Sequence, residues 1–79
     1  MNTDPNGLTF TVSMEEFKQL TGEFVKAAAD PDLTDDQLEN GWKALALAYF
    51  GCDQSGPNLI MAKSYFEYAA KHYMKRKFG

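Results

Sequence analysis

Residues Leu33–Gly51, "LTDDQLENGWKALALAYFG", carry a helix start, a helix stop and an uneven spread of apolar side chains between them. Thr34 stands where an N-cap belongs, Gln37 follows at the distance that returns its hydrogen bond, and Leu33 with Leu38 occupy the positions of a hydrophobic staple. Asp35 and Asp36 fall in the first turn, where the helix dipole favours negative charge. Leu38, Trp42, Leu45 and Tyr49 then share one face, Leu47 and Phe50 point elsewhere, and alanines at 44, 46 and 48 fill in. A helix apolar on several sides is expected to be surrounded. The stretch therefore predicts a helix over 35–50 that lies between two others.

The same punctuation recurs upstream. "SMEE" fits a capping box with Ser13 as cap and Glu16 as its partner, and Val12 with Phe17 form the staple. Phe17, Leu20, Phe24, Val25 and Ala28 follow at the spacing of one helical face, so a first helix is predicted over 14–29. Pro31 disfavours helical backbone in the residue before it. Downstream, Pro57 suits the first turn of a third helix, predicted over 57–76. Leu59, Ala62, Phe66, Ala69 and Tyr73 make its core stripe, and Met61, Tyr65, Tyr68 and His72 run beside it at i, i+4, i+7, i+11. Before these helices, residues 8–12, "LTFTV", alternate like a short strand that has no strand partner elsewhere in the sequence. Residues 1–7 read as a frayed tail. The fold class is all-α: one domain over 1–79, three helices and a short extended N-terminal segment.

The 79 residues are 44% hydrophobic and 14% aromatic, which belongs to a folded chain with large rings supplying much of the burial. Net charge is −3, but residues 1–53 hold ten acids and three bases while residues 54–79 hold one acid and five bases. A broad basic surface is missing, so direct nucleic-acid binding is not expected. Lys71, Lys75, Arg76 and Lys77 are placed to complement the third helix's own dipole. Cys52 is the single cysteine, which leaves no intrachain disulfide, and it reads as a small buried hydrophobe. No secretory signal pattern is present, and no apolar run approaches the ~18 residues of a bilayer span. A cytoplasmic protein, bacterial or phage-encoded, is the simplest expectation.

Tests for chemistry return little. Counting Asp30 as the first ligand of a calcium loop puts Asp35 where glycine is needed and Gly41 where a bidentate glutamate is needed. His72 is the lone histidine, and Tyr68 and Ala69 precede it where a zinc or acid–base partner would sit. "GCDQSG" lacks the lysine of a phosphate loop. The third helix opens apolar, "NLIMAK", unlike a DNA-reading helix. No catalytic residue, metal site or cofactor is expected, and the chain is read as non-enzymatic.

Residues 44–71 resemble one unit of the Sel-one-like repeats, relatives of the tetratricopeptide repeats. The second-helix pattern is carried by Ala62, Tyr65-Phe66 and Ala69-Ala70, and the first-helix pattern by "ALALAYFG" with Leu45, Tyr49 and Gly51. Ala46 replaces a glycine, Gly51 comes early, and the loop "CDQSGPN" departs from the repeat. The resemblance implies two antiparallel helices that bind protein and do no catalysis. The residues themselves lead to the same class: an adaptor, chaperone or inhibitor whose contact face is Met61, Tyr65, Tyr68 and His72, extended by Phe10 and Val12. Tyrosine and methionine suit such a face because they bury much area yet tolerate water. The alternative is an acidic decoy for a nucleic-acid-binding enzyme, with Glu15, Glu16, Glu23, Asp35, Asp36 and Glu39 as its surface. The segment 8–12 further suggests a homodimer formed by strand pairing between two copies.

Overall fold

A computed structural model describes residues 12–79. Three helices account for most of them: α1 (Met14–Ala28), α2 (Asp35–Phe50) and α3 (Asn58–Phe78). The predicted tail, and the predicted strand apart from Val12, lie outside the described residues. Helix bounds match the expected ones within two residues, and the domain is the all-α, three-helix one expected.

Both capping boxes close. Ser13 Oγ accepts from the Glu16 amide at 3.1 Å, and the Ser13 amide donates to Glu16 Oε1 at 2.9 Å. Thr34 Oγ1 accepts from the Gln37 amide at 3.1 Å, and the Thr34 amide donates to Gln37 Oε1 at 3.0 Å. Each box satisfies two amides that a helix start would otherwise leave unpaired. The staple residues Val12 and Leu33 both pack on the core, of which Phe17 and Leu38 are buried members.

Ring contacts fix the directions of the helices. Phe17 meets Tyr49 at 5.8 Å between centroids and Phe24 meets Trp42 at 5.7 Å, so α1 and α2 are antiparallel. Phe17 also meets Tyr65 at 6.4 Å and Phe24 meets Tyr73 at 6.5 Å, so α1 and α3 are parallel. Between α2 and α3 the rings interleave as a stack in the order Tyr73, Trp42, Phe66, Tyr49. Their centroids are 4.7, 4.9 and 4.4 Å apart and their planes lie within 16° of parallel. Each helix contributes rings seven residues apart, two turns on the same face. The α1–α3 seam is the opposite kind. α1 and α3 approach each other more closely than α2 and α3 do, and Ala62 and Ala69, fully buried on the α3 face between Tyr65 and Phe66, take little room there.

The structure corrects three expectations. α2 is not enclosed: Leu47 is 73% and Phe50 76% exposed, because a three-helix bundle covers only the faces that α1 and α3 reach. Leu59, expected in the α3 core stripe, is 50% exposed: it is the second residue of α3, in the first turn and two turns before Phe66 of the ring stack. Val12 does have a partner in its own chain. Its amide donates to the Gly51 carbonyl at 3.2 Å in an isolated parallel bridge with Cys52.

Arg76 also acts differently from expectation. Its guanidinium reaches from α3 to α1 and the following loop, donating to the carbonyls of Ala28 at 3.0 Å, Asp30 at 2.6 Å and Leu33 at 2.5 Å. It thus supplies a donor to the Ala28 carbonyl at the C-terminus of α1 and to two carbonyls of the loop after it, with a positive charge at the negative end of that helix dipole. In the α2–α3 connection, Asp53 Oδ1 accepts from the Ser55 amide at 3.0 Å and its hydroxyl at 2.7 Å. Those bonds, the hydroxyl's first, hold the Asp53 carboxyl below its usual range. Gly56 follows with φ of +57°, where a side chain would be strained.

Candidate protein-contact face

α3 presents its surface as lines set by the 100° turn per residue. Met61 is 41% exposed and Tyr68 53% exposed, and the His72 ring meets the Tyr68 ring edge-on at 4.7 Å. Tyr65 belongs to the same line but is half-buried, with its ring tilted 54° against Phe17. The line is therefore divided. Tyr65 anchors it to the core, while Met61, Tyr68 and His72 remain available. Val12 is half-buried against the core and bridged to Cys52, and Phe10 lies outside the described residues.

The face borders α1. Ala28, Ala29 and Pro31 line one depression together with His72, Lys75 and Arg76. From Ala29, the residues one, two and three turns back along the same edge of α1 are Val25, Gly22 and Lys18. Their spacing repeats that of Met61, Tyr65, Tyr68 and His72. Gly22 leaves the edge open, since a Cβ there would have no neighbour within 4 Å. Two exposed lysines complete the α3 side: Lys71, three residues after Tyr68, and Lys75, three after His72. The i, i+4, i+7, i+11 pattern of the α1 line is visible in the sequence, but nothing there says which edge of α1 meets α3.

The six acids of the decoy reading do not gather on one surface. Glu15 and Glu16 lie in the first turn of α1, and Asp35 and Asp36 in the first turn of α2, at opposite ends of antiparallel neighbours. Glu23 lines an apolar groove between α1 and α2 with Leu20, Phe24 and Gly41. Glu39 is engaged by α3: the Tyr73 hydroxyl donates to its Oε2 at 2.7 Å, and Lys77 pairs with the same oxygen. The bond from Lys77, and then that from Tyr73, holds the Glu39 carboxyl below the usual carboxylate range, while Glu39 in turn raises the Lys77 ammonium.

Cys52 is buried and free, and burial followed by the nearby Asp53 charge pushes its thiol up, away from the reactive thiolate. Thr21, the one buried polar side chain among the described residues, donates to the Phe17 carbonyl at 2.8 Å. Among the described residues no three His, Cys, Asp or Glu side chains converge as metal ligands. No described helix is long and apolar enough to cross a membrane. Comparison with protein-family models, curated proteins and solved structures yields no match for this chain.

Proposed function

We propose that this chain is a non-enzymatic protein-binding module, an adaptor, chaperone or inhibitor, that meets its partner through the Met61, Tyr68 and His72 side of α3. The observation that carries the reading is the exposure of Met61 and of Tyr68, the latter paired with a half-buried His72, on a helix whose neighbouring Tyr65 packs against the core. A rigid backbone supports these side chains, so little order has to be gained on binding. Aromatic contact residues of this kind dominate many interfaces. The resemblance of residues 44–71 to a Sel-one-like unit points to the same class. A cytoplasmic setting belongs to this proposal, as does pairing of residues 8–12 between two copies.

The test is affinity capture from the producing cell with the wild-type chain and with Met61→Ala/Tyr68→Ala, folding being checked by circular dichroism. A specifically captured protein should be lost from the double variant. Equal capture by both would overturn this face. For self-association, sedimentation at micromolar concentration with and without residues 1–11 gives the answer: a strictly monomeric full-length chain ends the dimer proposal.

A further inference from the structure

An apolar groove lies open along the α1–α2 seam, with a volume of about 270 Å³. Leu20, Phe24 and Ala27 line it from α1, and Gly41, Ala44 and Leu45 from α2; Glu23 is its one charged lining residue. Gly41 keeps it deep, because a Cβ there would stand 3.4 Å from the Phe24 ring. Leu20 and Ala44 are exposed, and so is Leu47, one turn beyond Ala44 along α2. The groove and Leu47 thus form one apolar strip that runs to the end of α2.

The chain enters the bundle at the head of that strip. The Val12 amide donates to the Gly51 carbonyl, and the Gly51 amide donates to the Leu47 carbonyl at 2.9 Å, so Val12 is tied one helical turn from Leu47. The Val12–Cys52 bridge is parallel, so stepping back from Val12 accompanies stepping back from Cys52 into α2. Val12 also packs on the core, which turns the entering chain towards the bundle, as a staple residue before a cap does. Residues 8–11, "LTFT", carry no charge. In an extended chain Leu8 and Phe10 share the side of Val12, and two residues span about 7 Å and four about 13 Å. Counted back from Gly51 at about 1.5 Å per helical residue, Leu47 stands about 6 Å along the strip, Ala44 about 10 Å and Gly41 about 15 Å. The two lengths match: Phe10 falls at Leu47, and Leu8 falls between Ala44 and Gly41.

We infer that the α1–α2 groove is the seat of the chain's own residues 8–11, with Leu8 inserted between Leu20 and Ala44 over Gly41, and Phe10 laid on Leu47. Length, direction, alternation and lack of charge all fit this occupant. A tethered segment also outcompetes a free one, since a short tether holds it at an effective concentration on the order of millimolar. The edge of the segment that Val12 does not use on Gly51 stays free for the two-copy pairing proposed above. A groove filled from within is closed to a partner protein, whereas the Met61 and Tyr68 side of α3 stays open. The inference does not depend on that face being used.

The test is NMR of the full chain. Nuclear Overhauser contacts should join the Leu8 methyls to Gly41 and Ala44, and the Phe10 ring to Leu47. Leu8→Ala should shift the Gly41 and Ala44 amide resonances and leave those of Tyr68 and His72 in place. Ala44→Glu changes an exposed position of α2. It should abolish the Leu8 contacts while the ring contact between Phe24 and Trp42 persists. No contact from Leu8 to Gly41 or Ala44 in the wild type overturns the inference, and so does survival of those contacts in Ala44→Glu. A mixture of isotope-labelled and unlabelled chains separates a segment seated on its own chain from an exchanged one. Contacts seen only between chains would give the groove to a second copy's segment and would also overturn the inference.

Discussion

The two seams that α3 makes are built on opposite plans. Against α2 it stacks large rings, with Trp42 between Phe66 and Tyr73 and Tyr49 closing the row. Toward α1 it turns Tyr65 beside the buried Ala62 and Ala69, and among the described residues the ring pairs that meet across that seam are Phe17 with Tyr65 and Phe24 with Tyr73. Rings wide enough to span the α2–α3 gap bury their faces on one another, and that seam consumes its own aromatic residues. Alanines bring backbones together without using the residues on either side. Among the described residues Tyr68 and Met61 are thus left exposed beside that seam, with His72 half-buried next to them. The aromatic seam supplies stability, and the alanine seam leaves side chains over for contact.

Trp42→Ala should produce the largest effect. It removes the ring shared by two stacked pairs and a tilted contact with Phe24. Loss of a large core aromatic costs about 3–5 kcal/mol, and chemical denaturation should show a drop of that size. A loss below about 1 kcal/mol would mean that the stack contributes little and that the seams do not differ as described.

Ala69→Leu probes the other seam. Ala69 is fully buried, and added methylenes must push α1 and α3 apart, at a cost of about 1–3 kcal/mol. The same change at Ala46, half-buried on α2, should cost less. If Ala69→Leu is tolerated as well as Ala46→Leu, the α1–α3 seam is not closely packed.

A smaller, pH-dependent effect belongs to Glu39. Its carboxyl is held low by Lys77 and Tyr73, so its contribution is present above the unfolded-state pKa of about 4.3 and is lost as pH falls through the lower folded value. Lys77 is raised, and its contribution disappears only as pH climbs through its folded value at the alkaline end. Glu39→Gln should therefore lower stability slightly at neutral pH and flatten the loss on acidification, with the two proteins converging in acid. Parallel stability–pH curves would show that the pairing has no energetic weight.

Local signals in the sequence were faithful where the physics is local. Ser13 with Glu16 and Thr34 with Gln37 are complete instructions within four residues, and both boxes form as read. The spacing of Met61, Tyr65, Tyr68 and His72 correctly describes a line on a helix. Which members of that line face a neighbour depends on the register of α1, which no local pattern encodes, so Tyr65 could not be separated from Tyr68 in advance. The same limit explains α2: Leu47 and Phe50 are apolar whether or not another helix reaches them. Arg76 was placed with its own helix because its acceptors, 43 to 48 residues earlier in the chain, are backbone carbonyls that leave no trace in residue type.

The division of the α3 line into an anchor and a contact residue is the central claim, and it can be tested without any partner. Tyr65→Ala and Tyr68→Ala are each measured by urea denaturation beside the wild type. Tyr65→Ala should lose about 2 kcal/mol or more, because its ring packs on buried Phe17. Tyr68→Ala should lose less than about 0.5–1 kcal/mol, as an exposed side chain would. Equal, large losses would place Tyr68 in the core and remove the contact face. Equal, small losses would mean that Tyr65 does not anchor the line.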